Sequence, residues 1–155
     1  MSRLRITVVE EATSADRYNW WGGALRLGEI RATSVKDMVD KILARLGGDD
    51  SIRKLTIVGH GSAGNISMGD GKGHERGKHI GIRNQAEWND ELNRLKGRFC
   101  DNARVTLRGC HTGAEQAGAD LVALLADMLG VRVRAPKGSV NPLWVGSKWT
   151  EAPKV

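Results

Sequence analysis

The chain is poor in cysteine, poor in aromatics and without any long apolar run, and each shortage removes a class of protein. Two cysteines, Cys100 and Cys110, in 155 residues cannot build a disulfide scaffold. In a chain that shows no secretion signal they are expected as two reduced thiols. No apolar stretch approaches the roughly 18 residues that a membrane helix needs, so no membrane span is expected. The N-terminal stretch MSRLRITVVEEATS is basic, but its apolar run is too short for a signal sequence and Glu10–Glu11 interrupt it. The expected location is the cytoplasm, with export left to a dedicated machine or to release from a larger precursor. Aromatics make up only 5% of the residues, and five of those seven are tryptophan. Internal repeats and low-complexity linkers are absent, which excludes a repeat architecture.

What is present fits one globular domain over residues 1–155, with 40% hydrophobic and 27% charged residues. The formal charge of +6 is mild. Basic residues such as Arg3, Arg5, Lys36, Arg45, Lys54, Arg98, Arg132 and Arg134 are scattered, and no run interleaves them with aromatics. The charge therefore reads as a solvated surface, with no specific nucleic-acid partner and room for a preference for acidic ones.

Strand and helix signals alternate along the chain. Residues 4–12 form an apolar strand, and NWWGGALRLGEI reads as a hairpin or covering loop. The clearest helix is TSVKDMVDKILARLGG, whose Val35, Met38, Val39, Ile42, Leu43 and Leu46 make a single apolar stripe, with Ser34 as N-cap and Gly47–Gly48 as stop. Residues 53–59 and 103–109 are strands with unbroken apolar centres, as expected for burial on both faces. Between them NISMGDG and HIGI flank a polar glycine-rich loop, read as a hairpin tip or lid, and a helix runs through Trp88, Leu92, Leu95 and Phe99. A further helix covers TGAEQAGADLVALLADMLG, with Thr112 and Glu115 in capping-box spacing. Residues 131–136 make a last strand, and the tail holds at most a short edge strand at 143–145. The expected fold is an α/β, three-layer αβα sandwich around a mostly parallel sheet of about four to six strands.

Two of these strands end alike: TIVGHG places His60, and VTLRGC places Cys110, one residue past a strand-ending glycine. In a parallel sheet both side chains emerge at the same carboxyl edge, where α/β folds bind ligands. Neighbouring strands would bring them within reach of each other. A thiol and an imidazole so placed support nucleophilic acyl transfer, with Cys110 as nucleophile and His60 as general acid/base. The backbone amides of Gly61 and Cys110 are the candidate oxyanion donors. Either residue alone would be read as a structural cysteine or a polar loop histidine; it is the matched pair that points to a site.

This pattern resembles the caspase-like cysteine peptidases, the group that includes caspases, gingipains, separases, CHAT domains and the self-processing domains of large bacterial toxins. VGHGSAGNISMGDG is similar to their His-Gly segment with its following hairpin, and VTLRGC to their cysteine strand. The separation of His60 and Cys110 is close to the roughly 50 residues seen in caspases. LGVRVRAPKGSVNP resembles the strand and loop after the cysteine helix in the toxin-type members, so the likeness covers about residues 53–142. It implies a caspase-like fold and a cysteine peptidase with a Cys110/His60 dyad and a protein or peptide substrate. It implies no cofactor and no metal, and fits self-processing or a bacterial effector or toxin system. Caspases carry QAC where this chain reads RGC, so their aspartate specificity is not implied. In a specificity pocket, Asp70 would favour Arg or Lys before the scissile bond, while Arg108 or Arg134 would favour Asp or Glu. The sequence leaves the choice, and the oligomeric state, open.

Three competing readings stand beside this one. HGSAG comes close to a nucleophile elbow with Ser62, but a strand signal, not a helix, comes after it. Cys100, Cys110, His111 and His60 or His74 lack any metal-site spacing. A non-catalytic binding or adaptor module with an incidental cysteine is the third.

Overall fold

The computed structural model describes residues 2–11, 29–69, 76–139 and 148–154. Its elements, in chain order, are β1 (Arg3–Glu10), β2 (Ile30–Ala32), α1 (Val35–Arg45), β3 (Ser51–Val58), β4 (Gly61–Ser62), β5 (Asn65–Ser67), β6 (His79–Gly81), α2 (Gln85–Asn93), β7 (Phe99–Arg108), α3 (Glu115–Leu129), β8 (Arg132–Pro136) and β9 (Trp149–Ala152). Six of the strands form one sheet in the order β2-β1-β3-β7-β8-β9, and β4-β5-β6 form a small second one. Every pairing in the large sheet is parallel except the last, between β8 and β9. The α/β class and the mostly parallel sheet expected from the sequence are present.

Alternation along the strands separates two chemically different faces. Ile6 and Val8 of β1, Leu55 and Ile57 of β3, Val105 and Leu107 of β7, and Val133 and Ala135 of β8 belong to one hydrophobic core. Among the described residues three helices contribute to that core: Val35, Met38, Val39 and Ile42 from α1, Trp88 and Leu92 from α2, Leu121, Val122, Leu125, Ala126 and Leu129 from α3. The alternate positions, such as Arg5, Lys54, Arg104 and Arg132, face the other way, and Val9 and Val58 are buried outside this core. Among the described residues no helix is long and apolar enough to cross a membrane.

The helix α1 follows its sequence signals closely. Ser34 Oγ accepts the Asp37 N–H at 3.0 Å, and Lys41 Nζ reaches the Asp37 carboxylate at 3.0 Å. Burial by itself would raise the Asp37 carboxyl, but the hydrogen bonds from Lys41 and Thr33 outweigh it and hold the group below its usual range.

Elsewhere local signals yielded to tertiary ones. The helix expected to run through Phe99 ends at Asn93, because the chain turns at Gly97 with φ +83° and Phe99 opens β7. Leu95 lies outside the helix and is still fully buried. The capping box of Thr112 and Glu115 does not form: Ala114 is the N-cap, without a side-chain cap bond, and the Thr112 hydroxyl goes elsewhere. Two strands, β2 and β9, have no clear signal in the sequence; the edge strand expected at 143–145 lies outside the described residues. The glycine-rich loop around residues 70–75 and most of NWWGGALRLGEI also lie outside them.

Candidate functional site

The site is built from the paired ends of β3 and β7. The last register pair of these strands is Val58 with Arg108, so His60 and Cys110 each stand two residues beyond it. The ladder continues past the strands, with Gly59 N–H donating to Arg108 O at 3.3 Å. From there the two loops run in backbone contact. A Cβ added to Gly61 would lie 2.7 Å from Cys110 O and 2.8 Å from Gly109 C, and one added to Gly109 would lie 3.2 Å from Gly59 O. Glycine at 61 is therefore what lets the histidine loop and the cysteine loop touch. His60 is exposed and Cys110 half-buried, so both side chains sit at the rim of the sheet and not within the core.

Each loop is fixed from outside as well. Glu10, at the end of β1 and completely buried, accepts the His60 N–H at 2.7 Å and the Gly69 N–H at 3.2 Å. The His60 carbonyl accepts the Ser67 N–H at 2.7 Å. Cys110 occupies a tight turn closed by Thr112 N–H to Gly109 O at 3.2 Å, with His111 in the left-handed region at φ +59°. Such a backbone costs about 1 kcal/mol or more in a non-glycine residue and persists only where its surroundings impose it. Here His111 N–H donates to Gly138 O at 2.9 Å, and its Nδ1 lies 3.2 Å from Lys137 O. Buried Thr112 then ties the turn to the hairpin: its hydroxyl donates to Asn65 O at 3.1 Å and its carbonyl accepts the Gly64 N–H at 3.0 Å. Behind it, Thr150 of β9 donates its hydroxyl to Gly113 O at 2.6 Å.

The structure thus brings the His60, Gly61 and Cys110 segments together and disperses the rest. Arg108 is the last residue of β7, half-buried and two residues before Cys110. Arg134 lies further from the rim on β8, where its Nε donates to Thr106 Oγ1 at 3.3 Å and its guanidinium stacks 4.3 Å from the Trp149 ring centre. Asp70 lies outside the described residues. Ser62 is exposed on the two-residue strand β4 and leads through a turn into β5, with no helix behind it. Cys100 is at the opposite end of β7, about seven register positions of β3 and roughly 20 Å from Cys110, far beyond the ~7 Å limit for a disulfide. His111 is drawn towards the loop after β8, with Ser139 Oγ 3.4 Å from its Nε2.

Three residues that position the site do not stand out in the sequence. Glu10 reads there as an interruption of an apolar run, and Asn65 and Thr112 as hairpin and capping residues. A carboxylate ending the strand beside the histidine strand is the signal that could have found the first of them.

Gly61→Ala is expected to destabilise the fold by about 1–3 kcal/mol, because backbone on the facing loop blocks the new methyl group. A thermal melt against wild type measures it; an unchanged midpoint would mean that the loops are not held in contact.

Fold and site together define an α/β domain with a histidine and a cysteine at corresponding ends of adjacent parallel strands. The chain belongs to the family described as "Domain of unknown function (DUF4347)", whose model matches residues 28–151. That span contains both loops and leaves out β1 with Glu10. No curated protein and no solved structure matches the chain.

Proposed function

We propose that the chain is a caspase-like cysteine peptidase domain, a three-layer α/β fold in which Cys110 is the nucleophile and His60 the general acid/base. The observation that carries this reading is the equal overrun of β3 and β7 beyond the Val58–Arg108 pair, with Gly61 packed on the Cys110 backbone. The exposed imidazole and the half-buried thiol both stand at that rim, outside the hydrophobic core.

In this reading His60 takes the proton of the Cys110 thiol, and the sulfur attacks a peptide carbonyl carbon. The C=O electron pair moves onto oxygen, and the Gly61 and Cys110 amides are the proposed donors to it. When the carbonyl re-forms, the C–N bond breaks, and His60 delivers a proton to the leaving amine. A thioester remains on Cys110. Water, deprotonated by His60, then attacks it and releases the carboxylic acid product and the free thiol. Arg108, two residues before the nucleophile, is the candidate contact for an acidic residue near the scissile bond.

Alkylation provides the direct chemical test. Cys110 is expected to react with iodoacetamide near pH 7 about tenfold faster in wild type than in His60→Ala, read on the peptide that carries it. Equal Cys110 rates in the two proteins would sink the dyad.

A further inference from the structure

The basic residues that look scattered in the sequence are gathered by the sheet. Arg5 pairs in register with Lys54, Lys54 with Arg104, and Arg104 with Arg132, so one cation from each of four adjacent strands falls in a single row. Neighbours in the row are roughly 4.8 Å apart at the backbone. All four point away from the hydrophobic core. Two positions along the strands, on the same face, the next row is Thr7, Thr56, Thr106 and Arg134, and beyond it come Val9, Val58 and Arg108.

The row floors a cleft of about 370 Å³ whose basic wall is Arg3, Arg5, Arg53, Lys54, Arg104 and Arg132. It adjoins a second cleft of about 420 Å³ that shares Arg104 and Arg132 and adds Arg134. Among the described residues seven basic side chains line the two clefts against two carboxylates, Asp101 and Glu151. The cations act on one another: burial and then the charges of Arg104, Arg108, Arg134 and Arg5 push the Lys54 ammonium below its usual range. Such a face stores repulsion that an anionic partner would relieve.

We propose that this cationic sheet face is a docking surface for an extended acidic polypeptide segment of another protein. Along β8 the cations Arg132 and Arg134 repeat every second residue, and along β7 Arg104 and Arg108 keep the same phase. An extended peptide with an acid at every second position presents carboxylates at the same interval of roughly 6.8 Å. A second copy of this chain does not fit, since it carries +6 and no two of its acidic residues stand two positions apart. A nucleic-acid backbone fits less well. The Trp149 ring is stacked by Arg134, not presented to bases, and Asp101 and Glu151 flank the clefts where continuous phosphates would pass.

The surface is distinct from the Cys110 turn, so the proposal stands whether or not Cys110 is a nucleophile. Fluorescence anisotropy with the whole chain tests it, using an alternating Glu–Ser peptide of about ten residues, its Gln–Ser counterpart and a duplex DNA of equal charge. Wild type is expected to bind the Glu–Ser peptide and not the Gln–Ser one. The double variant Arg104→Gln/Arg132→Gln should weaken binding roughly tenfold or more, as should a rise from about 50 to about 300 mM salt. Cys110→Ala should bind as wild type does. Both arginines are exposed, and circular dichroism checks that the double variant folds. Undiminished binding in the double variant, or no peptide binding by wild type, overturns the proposal. Tighter binding of the duplex than of the peptide also overturns it, in favour of a phosphate-reading face.

Discussion

Cys110→Ala is expected to lower kcat/KM for peptide cleavage by roughly 10³-fold or more while leaving the thermal midpoint within about 2 °C of wild type. The two halves of this expectation have separate causes. Cys110 is half-buried at the second position of a turn whose hydrogen bonds are made by backbone and by Thr112, so removing its sulfur leaves the turn in place. Chemistry is another matter, because alanine offers no atom to attack the carbonyl. His60→Ala should produce a loss of similar size, and the double variant should be scarcely worse than either single one, since a nucleophile and its proton carrier act as a unit. Cleavage of a peptide library by wild type and the three variants reads all of this. Persistent cleavage by Cys110→Ala would end the peptidase reading; persistence lost only in Ser62→Ala would transfer it to the serine.

Glu10→Ala is expected to cost about 3 kcal/mol, the largest stability effect among these substitutions. The carboxylate is wholly buried and accepts two backbone amides, His60 N–H and Gly69 N–H. Alanine takes this acceptor away from both donors, and each buried amide left unsatisfied costs about 1–3 kcal/mol. For a chain of this size that corresponds to a fall of roughly 10 °C in Tm. Glu10→Gln should lose less, since its carbonyl oxygen still accepts one amide while its NH₂ meets the other. Activity at a temperature well below both midpoints should also fall in Glu10→Ala, because the main chain of His60 loses its anchor. A melt for Glu10→Ala within about 2 °C of wild type would show that the carboxylate does not hold the loop.

The mostly parallel sheet, α1 and the two strand ends that carry His60 and Cys110 were legible because their signals are local. An apolar stripe at helical spacing with Ser34 before it, or a run such as LTIVG ending on glycine, carries its meaning within a dozen residues. The misreadings have the opposite character. Phe99 falls in phase with Trp88, Leu92 and Leu95, and only the turn at Gly97 assigns it to β7. Thr112 and Glu115 have capping spacing, yet the hydroxyl finds a carbonyl 47 residues away. Glu10 looks like the end of an apolar run until the topology sets β1 beside β3. The basic face was illegible for the same reason: Arg5, Lys54, Arg104 and Arg132 become neighbours only through strand register.

The bonds that hold the two loops also govern how the chain acquires its site. Glu10 reaches His60 and Gly69 across 50 and 59 residues, Thr112 reaches Asn65 across 47, and Thr150 reaches Gly113 across 37. Contacts of that sequence separation form late, after the cost of closing long loops has been met. A growing or half-folded chain therefore carries the cysteine and the histidine without carrying their arrangement. The two loops come together only when β1, the hairpin and the final edge strand are all in place, which in the peptidase reading ties chemical competence to the completion of folding.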